Sequence, residues 1–167
     1  MQRTFALLTL VIALFLTGCS GGGTVYYHYS PEKGGRIVDG QASVRDDAPE
    51  EVRAAIAAGN RICHLPYCYG GGRCEGIDSG YDCSGSTSYV LREAGLLGDW
   101  MTSTGFKNYG RSGRGKWITI YAKSGHVFME VAGLRFDTGY HGSGEGPRWT
   151  TKSRPAKGCV LRHPPGL

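Results

Sequence analysis

WITIYAKSGHVFMEVAGLRFDT, residues 117–138, is the stretch whose reading decides the fold. Apolar and polar residues alternate from Trp117 to Tyr121, the period of a half-buried strand. Ala122 to Ser124 turns the chain, and His126 to Val131 forms the next strand. Ala132-Gly133 is a tight hairpin, and Leu134 to Thr138 is the third strand. In this alternation His126 shares a face with Phe128 and Glu130, and Val127, Met129 and Val131 share the other. The Val/Met/Val face suits the core, which leaves His126 facing the preceding helix or a cleft. After a Gly-rich loop (Tyr140 to Gly146), Cys159 to Arg162 reads as one more short strand.

Upstream of the strands the period changes to that of helices. Asp47 with Glu50 three residues on is a capping box, and Pro49 is tolerated in a first turn. Val52, Ala55 and Ile56 then form one apolar face, and Gly59 reads as the stop. A second helix runs from Cys83 or Ser84 to Ala94, with Gly95 as its stop. Cys63 to Tyr81 has no periodicity and reads as loop, as does the polar stretch Gly98 to Gly115. Helices first and then an antiparallel sheet is an α+β layout.

The N-terminus carries an export signal. Phe5 to Leu16 is almost wholly apolar, too short for a comfortable membrane span and right for a signal-peptide core. It ends in Leu16-Thr17-Gly18-Cys19, which resembles the lipobox of bacterial lipoproteins, with Cys19 as the diacylated residue. The expected organisation is a signal peptide over 1–18, a lipid-anchored tether and arm over 19–46, and the main domain over 47–167. Two acyl chains anchor stably, so the expected partner at this end is a membrane. The net charge of +5 admits an anionic polymer as partner and is too modest to argue for nucleic acid. One domain of this size is expected to be a monomer.

Export places the remaining cysteines, Cys63, Cys68, Cys74, Cys83 and Cys159, in an oxidising environment. Their spacings fit no paired C-x2-C zinc pattern, so disulfides among Cys63, Cys68, Cys74 and Cys159 are expected, with pairing open and no metal or other cofactor. That leaves Cys83 over. Within Asp82-Cys83-Ser84-Gly85 it stands where a Gly-rich loop enters a helix. There the helix dipole and unpaired N–H groups stabilise an anion, which suits a nucleophilic thiol. A thiol nucleophile needs a base, and His126, directly after Gly125 at a strand start, is the candidate.

Tyr67-x-x-Gly70-Gly71, Asp82-Cys83-Ser84-Gly85 and Gly125-His126-Val127, in this order, resemble the motifs of the NlpC-type cell-wall cysteine peptidases. The resemblance covers roughly Ile56 to Thr138. It implies a papain-like core, with the helix bearing Cys83 packed on a sheet bearing His126. It also implies cleavage of peptidoglycan stem peptides, usually between D-γ-glutamate and a diamino acid. Tyr67 would support the oxyanion, and Asp82 and Ser84 would shape the substrate pocket. The family's third polar residue lies twelve positions after the histidine, which reaches Thr138. Asp137 is the rival: its charge would stabilise an imidazolium, although on a strand it points away from Thr138's face. The competing functions are an amidase or acyltransferase of the same superfamily, and an inactive lipoprotein that binds wall fragments.

Overall fold

The computed structural model describes residues 25–139 and 144–167. Cys19 lies outside the described residues. The described residues begin with β1 (Tyr26–Tyr27), a 3-10 turn (Pro31–Lys33) and the hairpin β2 (Arg36–Val38) and β3 (Gln41–Ser43). Two α-helices follow, α1 (Glu50–Ile62) and α2 (Cys83–Glu93). The rest is β4 (Arg111–Ser112), β5 (Ile118–Lys123), β6 (His126–Val131), β7 (Leu134–Asp137), β8 (Arg148–Thr150), β9 (Arg154–Pro155) and β10 (Val160–His163). Strands β4, β10, β5, β6, β7 and β8 form one antiparallel sheet in that order. The α+β architecture is therefore the observed one. Only β5 to β8 is a simple meander, because β10 returns to cover the outer edge of β5, pairing Val160 with Ala122.

The Val127, Met129 and Val131 face packs with Ile118, Ile120 and Phe136 against Val52, Ile56, Val90 and Leu91 of the helices. The opposite face is not solvated. Tyr27, Tyr121, Phe128 and Ala156 bury a second, smaller core there, with the Tyr121 and Phe128 rings stacked at 4.5 Å. The layers are helices, sheet and a ribbon of β1 paired with β9. Residues of the segment 25–46 reach both cores, Tyr27 on one face of the sheet and Ile37, Ala42 and Val44 on the other. Tyr27 is fully buried and its hydroxyl donates to the Gly133 carbonyl at 2.7 Å. Burying a side chain of that size is worth about 2 kcal/mol, enough to seat the ribbon. Lys33 reaches the buried Glu130 at 2.6 Å, giving that carboxylate a partner on the same face.

Two sequence expectations about α1 change. Its N-cap is Pro49, without a side-chain cap, and Asp47 pairs with Arg45 at 2.6 Å. Gly59 does not stop the helix, which runs on to Ile62. A Cβ at Gly59 would lie 2.3 Å from the Trp149 ring, so this glycine admits the indole against the helix. The polar stretch before β5 also holds more than a solvated loop. A 3-10 turn (Gly105–Asn108) buries Phe106, and Tyr109 packs beside it.

The expected disulfides are absent among the described residues, where all five cysteines are thiols. Cys63 belongs to the helix-side core, and Cys159 packs against the smaller core on the other face of the sheet. A layer of sheet separates them, and a disulfide needs Cα atoms within about 7 Å.

Candidate active site

The site begins with Asp82, the N-cap of α2. Its Oδ1 accepts from the Gly85 amide at 2.6 Å and the Ser84 hydroxyl at 2.8 Å. Its Oδ2 accepts from the Gly70 amide at 3.0 Å, which ties the Gly-rich loop to the helix start. Such a cap is worth about 1 kcal/mol, and here one buried carboxylate orders both segments. Gly85 is required by this join, because a Cβ there would fall 1.9 Å from the Gly71 carbonyl oxygen. Ser84 is buried and serves the cap. Cys83 begins the helix, half-buried, with its carbonyl accepting from Thr87 at 2.8 Å.

His126 is the first residue of β6, after Gly125 in a left-handed turn. Its face is that of Phe128 and Glu130, away from the helices, and of the two surroundings expected for it, the preceding helix or a cleft, the ring borders a hollow. The ring stands at the end of the sheet, where it lines the same hollow as the Cys83 thiol. Its Nε2 meets Asp137 Oδ1 at 3.0 Å. Nδ1 is therefore the nitrogen left for the thiol.

The third position is a correction. Asp137, and not the Thr138 side chain, meets the imidazole. The two-residue turn Ala132-Gly133 pairs Val131 with Leu134 and Glu130 with Arg135, which puts Arg135 and Asp137 on the face of Glu130, Phe128 and His126. Asp137 ends β7 and the next residue, Thr138, points the opposite way, so the cross-strand register puts Asp137 on the side of His126. Thr138 contributes its backbone amide, which donates to Asp137 Oδ1 at 2.9 Å, and it also lines the hollow beside Cys83.

Asp137 is buried, and its Oδ2 pairs with Arg154 and with Arg135 at 3.4 Å. Arg154 was not singled out in the sequence; nothing local to it marks a role, since it reaches the site through strand pairing. Burial pulls the His126 pKa down. The hydrogen bonds to Asp137 and Cys83 and the Asp137 charge outweigh that pull, so the net shift is upward from 6.5. The folded state therefore holds the His126 proton more tightly than the unfolded chain does. This contribution to stability is full below pH 6.5 and is lost as pH rises through the elevated folded value. Urea unfolding of wild type and His126→Gln from pH 5 to 8.5 is expected to show their stability difference shrinking with rising pH. A constant difference would contradict the linkage.

Two hollows flank Cys83. One, of about 330 Å³, is lined by Tyr67, Cys83, His126, Thr138 and Arg154. The other, of about 240 Å³, is lined by Tyr67, Tyr69, Arg73, Cys83, Ser84 and Thr102 among others. Tyr67 borders both, held by its bridge to Tyr81 just before Asp82. Burial first, and then the Cys83 and Asp82 charges, push the Tyr67 hydroxyl pKa up, so it keeps its proton and can donate. Burial likewise pushes the Cys63 and Cys159 thiols up, which sets them apart from a nucleophile. Among the described residues no group of three His, Cys, Asp or Glu side chains is gathered as a metal cluster. A thiol, an imidazole and a carboxylate in series, lining a groove, can carry out acyl transfer.

No protein-family model matches the sequence, and no curated protein matches it. A solved structure of NlpC1 from Trichomonas vaginalis is similar to the chain, at 17% identity and a TM-score of 0.50. The likeness covers 74% of this chain and 48% of that one, so the chain spans about half the length of that structure. At this identity the likeness is one of fold, and the chain has a mixed α/β, NlpC-like fold.

Proposed function

We infer that the protein is a cell-wall hydrolase that cuts the peptidoglycan stem peptide at the D-γ-glutamyl–diamino acid bond. The observation that carries the reading is the Cys83–His126–Asp137 series at the meeting of two hollows. In this mechanism His126 Nδ1 takes the thiol proton, and Cys83 Sγ attacks the amide carbonyl. The amides of Cys83 and Ser84 at the helix start receive the oxyanion, with Tyr67 donating from the side. His126 then protonates the leaving amine, and water, deprotonated by the same ring, releases the acyl group and restores the thiol. Asp137 holds the ring by Nε2 and balances the imidazolium. The papain-like arrangement of helix and sheet, and attachment to a membrane by acylated Cys19, belong to the same reading.

Digestion of purified peptidoglycan followed by mass spectrometry tests it. New stem-peptide ends at the γ-glutamyl carboxyl are expected. Ends at the glycan–L-alanine bond would mean an amidase instead, and an undigested wall would leave no hydrolase. The intact mass of the exported protein tests the anchor in the same preparation: an N-terminus other than diacylated Cys19 overturns it.

A further inference from the structure

Arg154 belongs to none of the sequence motifs and performs no step in the mechanism above. It stands on β9, register-paired with Tyr27 of β1, and the amide of Ala156 donates to the Val25 carbonyl at 2.7 Å. Its guanidinium bonds Asp137 Oδ2, the oxygen opposite the one that meets His126, and lies 5.2 Å from the centre of the Phe128 ring. It also walls the hollow that holds Cys83 and His126.

A carboxylate held to a ring by one oxygen can still turn about its last torsion, which is broad for aspartate. A charged donor on the second oxygen removes that freedom and presents Oδ1 to Nε2 in one orientation. We propose that Arg154, delivered to the site by the β1–β9 ribbon, is a positioning residue that fixes Asp137 and thereby aims His126 at the Cys83 thiol. The ribbon thus ties the segment leading to the N-terminus to the geometry of the site. The consequences for turnover rest on the hydrolase reading, whereas the ring geometry does not.

The groups facing His126 are Asp137 from β7, Arg154 from β9, Cys83 from α2, Tyr67 from the loop before α2, and Lys123 across the β5–β6 turn. Arg135 adds a second cation at Asp137. Of these, Asp137 and Cys83 raise the His126 pKa and Arg154 lowers it. Removing Arg154 therefore gives a signature that simple loss of packing would not give.

The test is an NMR titration of His126 in the full chain carrying Cys83→Ala, with and without Arg154→Ala. The His126 midpoint is expected at higher pH without the arginine. Arg154→Gln, which keeps a donor and drops the charge, reads the same shift if the alanine variant does not fold. Arg154→Lys, which keeps the charge and loses the fork, is expected to return the midpoint toward that of arginine. With the thiol restored, Arg154→Ala is expected to lose roughly 10²-fold in kcat with little change in KM. A midpoint unmoved in both the alanine and glutamine variants, with folding intact, would overturn the proposal. Failure of the wild type to digest peptidoglycan would overturn the hydrolase reading and leave the titration result standing.

Discussion

Replacing Cys83 with alanine is expected to lower cleavage of the stem peptide by roughly 10⁴-fold or more, the scale seen when a covalent nucleophile is lost. Folding should survive the change. The start of α2 is organised by Asp82, whose oxygens take the Gly85 and Gly70 amides and the Ser84 hydroxyl. Thr87 and Ser86 bond the Cys83 carbonyl, a backbone group that alanine keeps. The Cys63 and Cys159 thiols are poorly suited to replace it, because burial raises the pKa of both. Rates of release of γ-glutamyl ends, compared at equal folded concentration, check the expectation. An alanine variant that digests the wall at the wild-type rate would remove Cys83 from the chemistry.

Asp137→Asn is expected to act on both activity and stability. An amide leaves the ring without its charged partner and permits the wrong tautomer, a loss of about 10³–10⁴-fold in kcat. It also removes the charge that pairs with Arg135, which is 0% exposed, and with Arg154. Breaking a buried ionic cluster on one side costs about 3–5 kcal/mol, a large part of the stability of a domain this size. Thr138→Val is the contrasting variant. What Thr138 gives Asp137 is a backbone amide, so the valine protein should turn over near the wild-type rate. Measured kcat and urea midpoints rank the two. A threonine variant more damaged than the asparagine one would return the third position to Thr138.

The site was partly legible in the chain. The helix start at Cys83 and the strand start at His126 both follow from local signals: Asp82 as cap, Gly125 as turn, and period-two alternation after it. The choice between Asp137 and Thr138 depended on which face of β6 the neighbouring strand addresses, and that is a matter of register. The turn at Ala132-Gly133 sets the register, and counting through it places Asp137 with His126. Arg154 had no local signal, since a lone arginine in a short edge strand reads as surface. The disulfide expectation failed for a related reason: cysteine count carries no information about which layer each thiol occupies.

Sequence alone therefore determined the elements whose cause is local. These are α2 with its cap, the β5–β7 strands, the hairpin at residues 132–133, and the helix and strand starts at which Cys83 and His126 stand. Tertiary structure decided what depends on contacts distant along the chain. It put Tyr27 and β9 on the far face of the sheet, admitted Trp149 against Gly59, returned β10 to the edge of β5, and set two arginines around Asp137. Periodicity reports which face of an element is apolar. It does not report which distant segment covers that face, and in this protein the covering segment carries the cation that holds the acid behind the histidine.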